Sequence, residues 1–256
     1  MRYLACLSLL GAFVFPPLVA AAPLYDASLG SLPTDQGWVF LSDITPGSSV
    51  GQQLVGGAAQ LDTTTNRKDL AGYIRFDSFD ATAGYRLRID LKMLAETHVA
   101  SDRNRDGLDD RAGFSLTLVG NNLQGIELGF WNNRVFAQSD NPLFTQAEHA
   151  LFDTTASMTT YMLTVSGNAY SLYANGAPLL SGPLRDYSSF GLPYSVAGFL
   201  YLGDNTTSAK ASSQLAYVSR ETLLIPEPAT WLLALIAMGC TLLRRVRPQA
   251  PSASRN

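Results

Sequence analysis

Tyr85-Arg86-Leu87-Arg88-Ile89-Asp90-Leu91-Lys92 alternates apolar and charged side chains without a break. Successive side chains of an extended chain point to opposite faces. The stretch therefore predicts a strand with Tyr85, Leu87, Ile89 and Leu91 on a buried face and the charges in water. Working outward, shorter segments of the same kind recur at 72–76, 114–119, 125–131, 134–138, 161–165, 170–174, 199–202 and 214–218, separated by turn residues. No amphipathic helix interrupts them between Trp38 and Val218. Many short strands without helices predict an all-β fold, an antiparallel β-sandwich.

Asn175-Gly176, between Tyr170-Ser171-Leu172-Tyr173-Ala174 and Pro178-Leu179-Leu180, is the strongest hairpin signal in the chain. Tyr173-Ala174-Asn175-Gly176, followed later by Leu200-Tyr201-Leu202-Gly203-Asp204, resembles the last strands of laminin-G-like, concanavalin-A-like jelly rolls. That resemblance implies a jelly-roll fold and assigns no binding residue.

Charge is uneven along the 256 residues. Of the 18 basic groups, Arg2, Arg244, Arg245, Arg247 and Arg255 lie in the terminal segments, as does Glu227 of the 21 acidic ones. Residues 22–225 thus keep 13 basic and 20 acidic groups, a net charge of −7. A middle that acidic lacks the positive footprint that phosphate backbones require, which argues against nucleic acid as a partner. No glycine-rich phosphate loop follows a strand and opens a helix, so nucleotide binding has no support. Both cysteines, Cys6 and Cys240, fall in the apolar ends, so disulfides do not hold the middle together.

Residues 1–22 read as a secretory signal peptide, predicting an N-terminal signal helix. Arg2 gives the positive start, Leu4 to Val14 the apolar run, and Val19-Ala20-Ala21-Ala22 the small-residue cleavage site. At the other end Pro226-Glu227-Pro228 precedes an apolar stretch to Leu243, closed by Arg244-Arg245-Val246-Arg247. From Ala229 this stretch is about 22 Å long as a helix, short for a bilayer core of about 30 Å. The arginines place the C-terminus on the cytoplasmic side. The tripeptide, the short helix containing Gly239 and the basic pair resemble the PEP-CTERM sorting domain of Gram-negative bacteria. That resemblance implies recognition by an exosortase, a membrane cysteine protease, and removal of the tail near the tripeptide. It also implies an organism that makes extracellular polysaccharide. The expected organisation is signal peptide 1–22, β-sandwich ectodomain 23–222, sorting signal with a short transmembrane helix 225–247, and cytoplasmic tail 248–256. Export through the inner membrane to the cell surface or extracellular matrix follows.

Asp102-Arg103-Asn104-Arg105-Asp106-Gly107-Leu108-Asp109-Asp110 has oxygen side chains at positions one, three, five and nine of a calcium loop and glycine at six. Asp102, Asn104, Asp106, the Leu108 carbonyl and Asp110 are the candidate calcium ligands. Position twelve is Gly113 where an EF-hand has a bidentate glutamate, so the loop resembles instead the shorter calcium loops of dockerins and thrombospondin-type repeats. The other reading is a solvated turn in which Asp102, Asp106 and Asp110 pair with Arg103, Arg105 and Arg111.

Laminarinase-type glycosidases on this fold carry Glu-x-Asp-x-x-Glu or Glu-x-Asp-x-Glu on one strand, and no such pattern occurs here. Glu127, in Gly125-Ile126-Glu127-Leu128-Gly129, reads as a lone strand glutamate facing solvent and is the first carboxylate to test should the domain be an enzyme. His98 and His149 lack a neighbouring nucleophile and read as surface or loop histidines. Trp131 with Asn132 and Asn133, and Tyr194 or Tyr201, could present flat rings and amides to a sugar. The expectation is a non-enzymatic surface or matrix protein with a structural or adhesive role in exopolysaccharide. A lectin-like polysaccharide binder is the alternative, and a glycoside hydrolase the third reading.

Overall fold

Residues 85–92 form the start of a long strand whose side chains alternate between core and surface as their pattern requires. The structure, a computed structural model, describes residues 22–43 and 50–223. In chain order its strands are β1 (Ala22–Asp26), β2 (Val39–Asp43), β3 (Gly51–Val55), β4 (Ala58–Asp62), β5 (Leu70–Phe76), β6 (Tyr85–His98), β7 (Phe114–Val119) and β8 (Gly125–Phe130). They continue with β9 (Arg134–Asp140), β10 (Leu143–Leu151), β11 (Thr159–Ser166), β12 (Ala169–Ala174), β13 (Ala177–Pro183), β14 (Phe199–Asp204) and β15 (Ala209–Thr222). Three short 3-10 turns are the only helical elements among the described residues.

The strands form two antiparallel sheets. The first runs β13-β12-β11-β6-β15-β4-β3, with β1 also paired to β15, and the second runs β10-β9-β8-β7-β14-β5-β2. Sequence-distant strands lie side by side: β6 beside β15, and β7 beside β14. Facing rows of Leu87, Ile89 and Leu91 from the first sheet, and Leu116, Leu118, Ile126 and Leu128 from the second, belong to one buried core. Burial of such side chains supplies about 1.5–3 kcal/mol each, the dominant favourable contribution to folding. Asn175 and Gly176 turn the chain from β12 to β13 with φ of 49° and 82°, the left-handed pair that a two-residue hairpin needs.

The antiparallel sandwich agrees with the sequence reading, with differences of detail. β1, β2, β3, β4 and β10 were not expected. β3 is a mostly exposed edge strand with adjacent glutamines, and β10 shifts register twice against β9, so neither shows clean alternation. The second difference is larger: every residue of β7, β8 and β14 is buried, on both faces of the second sheet. The signal helix, the transmembrane helix and the sorting residues Pro226, Glu227, Pro228, Arg244 and Arg245 lie outside the described residues. Among the described residues no helix is long and apolar enough to cross a membrane.

Candidate functional site

The outer face of the second sheet carries the unexpected burial. Register puts Tyr201 opposite Thr117 and Thr117 opposite Glu127, so the three share a row on that face. Two glycines let aromatic rings lie against the sheet. A Cβ on Gly72 would meet the Tyr201 ring at 2.4 Å, and one on Gly129 would meet the Phe136 ring at 2.5 Å. Over this floor sits a second apolar cluster of Val119, Phe144, Tyr187, Tyr194, Phe199 and Tyr201.

Two loops cover the face. Residues 101–113 form a strap whose consecutive carbonyls are held by side chains of the sheet and its margin. Gln146 Nε2 donates to the Asp109 carbonyl at 2.6 Å, Gln138 Nε2 to Asp110 at 2.9 Å and Trp131 Nε1 to Arg111 at 2.9 Å. Arg103 ties the strap's other limb to the Leu143 and Phe144 carbonyls at 2.6 and 2.8 Å. The second cover is the 184–198 loop, pinned where the Tyr187 hydroxyl donates to the Gln138 carbonyl at 2.6 Å. Arg185 anchors its start through Glu148 at 2.7 Å.

Between these covers lies a polar cluster. The Glu127 side chain is fully buried, with one oxygen 3.3 Å from Arg111 Nη2 and 3.1 Å from Asn205 Nδ2. Its other oxygen accepts from the Tyr194 hydroxyl in a short hydrogen bond. Arg111 also donates to Asn205 Oδ1 at 2.9 Å and stacks its guanidinium over Phe144 at 4.5 Å. Burial, and next the Glu127 charge, push the Tyr194 phenol far above the usual tyrosine range, so it stays protonated as a donor. Where the cluster meets the gap between the sheets, Asp204 pairs with Lys210 at 2.7 Å and accepts from Thr63 at 2.6 Å. Burial raises the Asp204 carboxyl to about 6, against the opposing pull of Lys210.

Beside this cluster opens a cavity of about 450 Å³, within the ~300–1,000 Å³ of small-molecule sites. Arg111, Thr117, Tyr194, Tyr201, Asp204 and Asn205 supply its polar lining, and Leu70, Ile74, Phe144 and Phe199 its apolar walls. Leu41, Phe190 and Leu192, all exposed, form the rim. Arg111 Nη1 and Thr117 Oγ1 are buried without a hydrogen-bond partner.

The candidate residues from the sequence are distributed differently. Glu127 neither faces solvent nor stands alone; the covering loops bury it and Arg111 pairs it, which corrects both expectations. The flat-ring role of Trp131 is corrected too. Its ring is 8% exposed, with His98 stacked on it at 4.1 Å and Arg134 over it at 5.2 Å, and it serves to hold the strap. Asn132 donates to the Glu96 carbonyl, and Asn133 is exposed in the turn before β9. Tyr201 does line the cavity, but its hydroxyl is committed to the Asp204 carbonyl at 2.6 Å. His149 is exposed on β10. His98 instead joins β6 to the strap. Its Nδ1 is 3.0 Å from Glu96 and its Nε2 3.6 Å from Asp109, and the Glu96 hydrogen bond raises its pKa despite burial.

In the 102–110 loop the Asp102 carboxylate accepts from the Asp106 and Gly107 amides at 3.0 and 2.8 Å. Asp106 accepts from the Leu108 amide at 2.8 Å and from Asn104 Nδ2 at 2.7 Å. Asp110 is taken by Arg103 at 2.9 Å, the one pairing of the ion-paired reading that forms, while Arg111 goes to Glu127. Among the described residues no three His, Cys, Asp or Glu side chains gather as a metal would require. Asn104 Oδ1 and Asp110 Oδ1 are buried without partners.

Arg111, Thr117, Phe190 and Asn205 had no sequence signal of their own. The one available hint was Glu127 between Gly125 and Gly129, since glycines on the same strand face leave room for neighbouring elements to close over it.

No protein-family model matches the chain, and no curated protein does. Among solved structures the chain is similar to the conserved carbohydrate esterase of the Shiga toxin-encoding bacteriophage phi24B. The TM-score is 0.53 at 16% identity, over 80% of this chain and 100% of that one. A Bacillus subtilis protein of galectin-like fold follows at TM-score 0.47 and 11% identity, over 78% and 96% of the two chains. The carbohydrate recognition domain of Emp47p stands at 0.46 and 10%, over 82% and 100%. At 16% identity the likeness to the first of these is one of fold alone, and the fold of this chain is the two-sheet antiparallel β-sandwich described above.

Proposed function

We propose that the domain binds saccharide in the cavity on the outer face of its second sheet, as part of an exported protein of the cell surface or exopolysaccharide matrix. The observation that carries this reading is the cavity itself. It sets polar residues, among them Arg111, Thr117 and Asn205, beside ring and aliphatic walls, the mixture that a sugar's hydroxylated edge and apolar face call for. The exposed ring of Phe190 at the rim takes the platform role first sought in Trp131. The signal-like start and the tail resembling PEP-CTERM support export and sorting by an exosortase at the inner membrane.

Binding is favoured over glycoside hydrolysis because both carboxylates at the cavity are committed, Glu127 to Arg111 and Tyr194, Asp204 to Lys210 and Thr63. A glycosidase needs one carboxyl free to protonate and another free to attack or activate water. The test is retention of the full chain on immobilised polysaccharides. Retention that falls about tenfold in Phe190→Ala is expected; a chain that no polysaccharide retains overturns the reading. We further propose calcium as a ligand of the 102–110 loop, supported by the two unpaired oxygens of Asn104 and Asp110.

A further inference from the structure

We infer that an apolar face at the cavity mouth docks on the bilayer that anchors the chain's tail; this rests on the reading of that tail as a membrane segment. Val39 and Leu41 on β2, Phe76 on β5, and Phe190 and Leu192 in the 184–198 loop are each more than half exposed. Val39 pairs with Ile74 and Phe76 with Phe199, so the outward residues of β2, β5 and β14 are neighbours. Leu192 lines the cavity together with Leu41 and Ile74, which joins the loop to that sheet face. None of the outward positions from 39 to 41, from 72 to 76 and from 199 to 203 is charged. Single exposed apolar residues are ordinary on a folded domain, but a run of them without a charge marks an interaction site. The saccharide reading does not account for the run, since Val39 and Phe76 lie outside the cavity lining.

What covers this face follows from where the chain enters and leaves the sandwich. Ala22, at the start of β1, pairs with Arg220 near the end of β15, so the chain enters and leaves side by side. Arg220 is held at 3.0 Å by Asp77, the residue after Phe76. On the β1 side the Leu24 carbonyl accepts at 2.8 Å from the indole of Trp38, the residue before Val39. Entry and exit thus flank the edge of the face that carries Val39 and Phe76. From Leu223 to Pro228 the chain reaches at most about 20 Å before the apolar stretch that begins at Ala229. A tail seated in a bilayer therefore keeps this face within reach of that same bilayer. A tether this short makes the contact intramolecular, at an effective concentration of about millimolar, so a face of modest area is enough. A second copy has no such advantage, and the face carries no charge with which to select a protein partner. Phe190 and Leu192 also rim the cavity, so bilayer and polysaccharide compete for them.

The test is hydroxyl-radical footprinting of the full wild-type chain in phosphatidylcholine vesicles, with modification of each residue read by mass spectrometry. Leu192 and Leu151 are the same residue type and each 75% exposed, but Leu151 ends β10, the opposite edge strand of the second sheet. Without docking the two leucines are modified alike; with it, Leu192 is expected to be modified severalfold less than Leu151. Equal modification in vesicles overturns the docking and leaves the tail and saccharide readings standing. Protection of Leu192 that is lost when fewer chains are loaded per vesicle gives the face to a second copy and overturns the docking as well. A chain that does not float with the vesicles overturns the membrane reading of the tail, and this inference with it.

Discussion

β6 and β8 look alike in sequence, apolar residues alternating with polar or small ones, yet their outer faces live in different solvents. On β6 the outer arginines reach water: Arg86 pairs with Glu221 at 3.2 Å and Arg88 with Asp90 at 2.7 Å, both arginines nearly half exposed. On β8 the outer residue Glu127 is sealed beneath two loops and paired with an Arg111 that is itself 12% exposed. Alternation thus tells which residues share a face. Whether that face is wet depends on segments far away in the chain, here the strap at 101–113 and the loop at 184–198. A covered polar face is costly to maintain, because every group on it must find a partner. That cost points to use: the second sheet's outer face is where this domain concentrates its buried charge and its unpaired polar atoms.

The contrast breaks most directly at the two glutamates. Glu127→Ala leaves the Arg111 charge buried against Phe144 and removes the acceptor of Tyr194 and Asn205. A loss of about 3–5 kcal/mol in urea unfolding is expected. Glu221→Ala removes the partner of a half-solvated arginine, and a loss within about 1 kcal/mol is expected. Similar losses at the two positions would mean that the two faces do not differ as described.

The fold was legible where alternation is local and strict. Strand β7 begins and ends where residues 114–119 predict, and Asn175-Gly176 turns where its chemistry requires. Polar edge strands were not legible, because β3 presents little apolar contrast between its faces. The site was less legible than the fold. Arg111 sits in the strap, Thr117 and Glu127 on adjacent strands, Tyr194 in a loop and Asn205 just past β14, and no sequence period links them. The ion-paired alternative for the 102–110 loop gives Arg111 to the acids of its own loop; the fold carries it to Glu127, and Trp131 holds its backbone carbonyl over the sheet. Trp131 was misread for the same reason. Its polar tip serves a carbonyl that only the folded chain brings near.

A smaller effect should appear in the pH dependence of stability. The folded-state pKa of Asp204, about 6, lies above the ordinary aspartate value, with burial as the leading cause. A raised pKa means that the folded protein holds the proton more tightly than the unfolded one. Its contribution is fully present below about pH 4 and is lost as pH rises through about 6. Asp204→Asn should flatten the stability profile across that window, measured by urea unfolding at several pH values. A wild-type slope in this window that Asp204→Asn does not reduce would assign the titration elsewhere.

The smallest expected effect sharpens the comparison at the strap. If calcium joins the 102–110 loop, it does so against Arg103, which now occupies Asp110 at 2.9 Å. Affinity is therefore modest: at tenfold excess over its dissociation constant, calcium adds about 1.4 kcal/mol. For a domain of this size that raises the melting temperature by about 3–6 °C. Arg103→Gln, which frees Asp110 for the cation, should enlarge the shift, and Asp102→Asn with Asp106→Asn should abolish it. A melting temperature that is the same in EGTA and in millimolar calcium, for the wild type and for Arg103→Gln, removes calcium from the account. The strap would then be a turn held by its own amides and Arg103, tied to the second sheet by the three carbonyl hydrogen bonds from Trp131, Gln138 and Gln146 and by the Arg111–Glu127 pair.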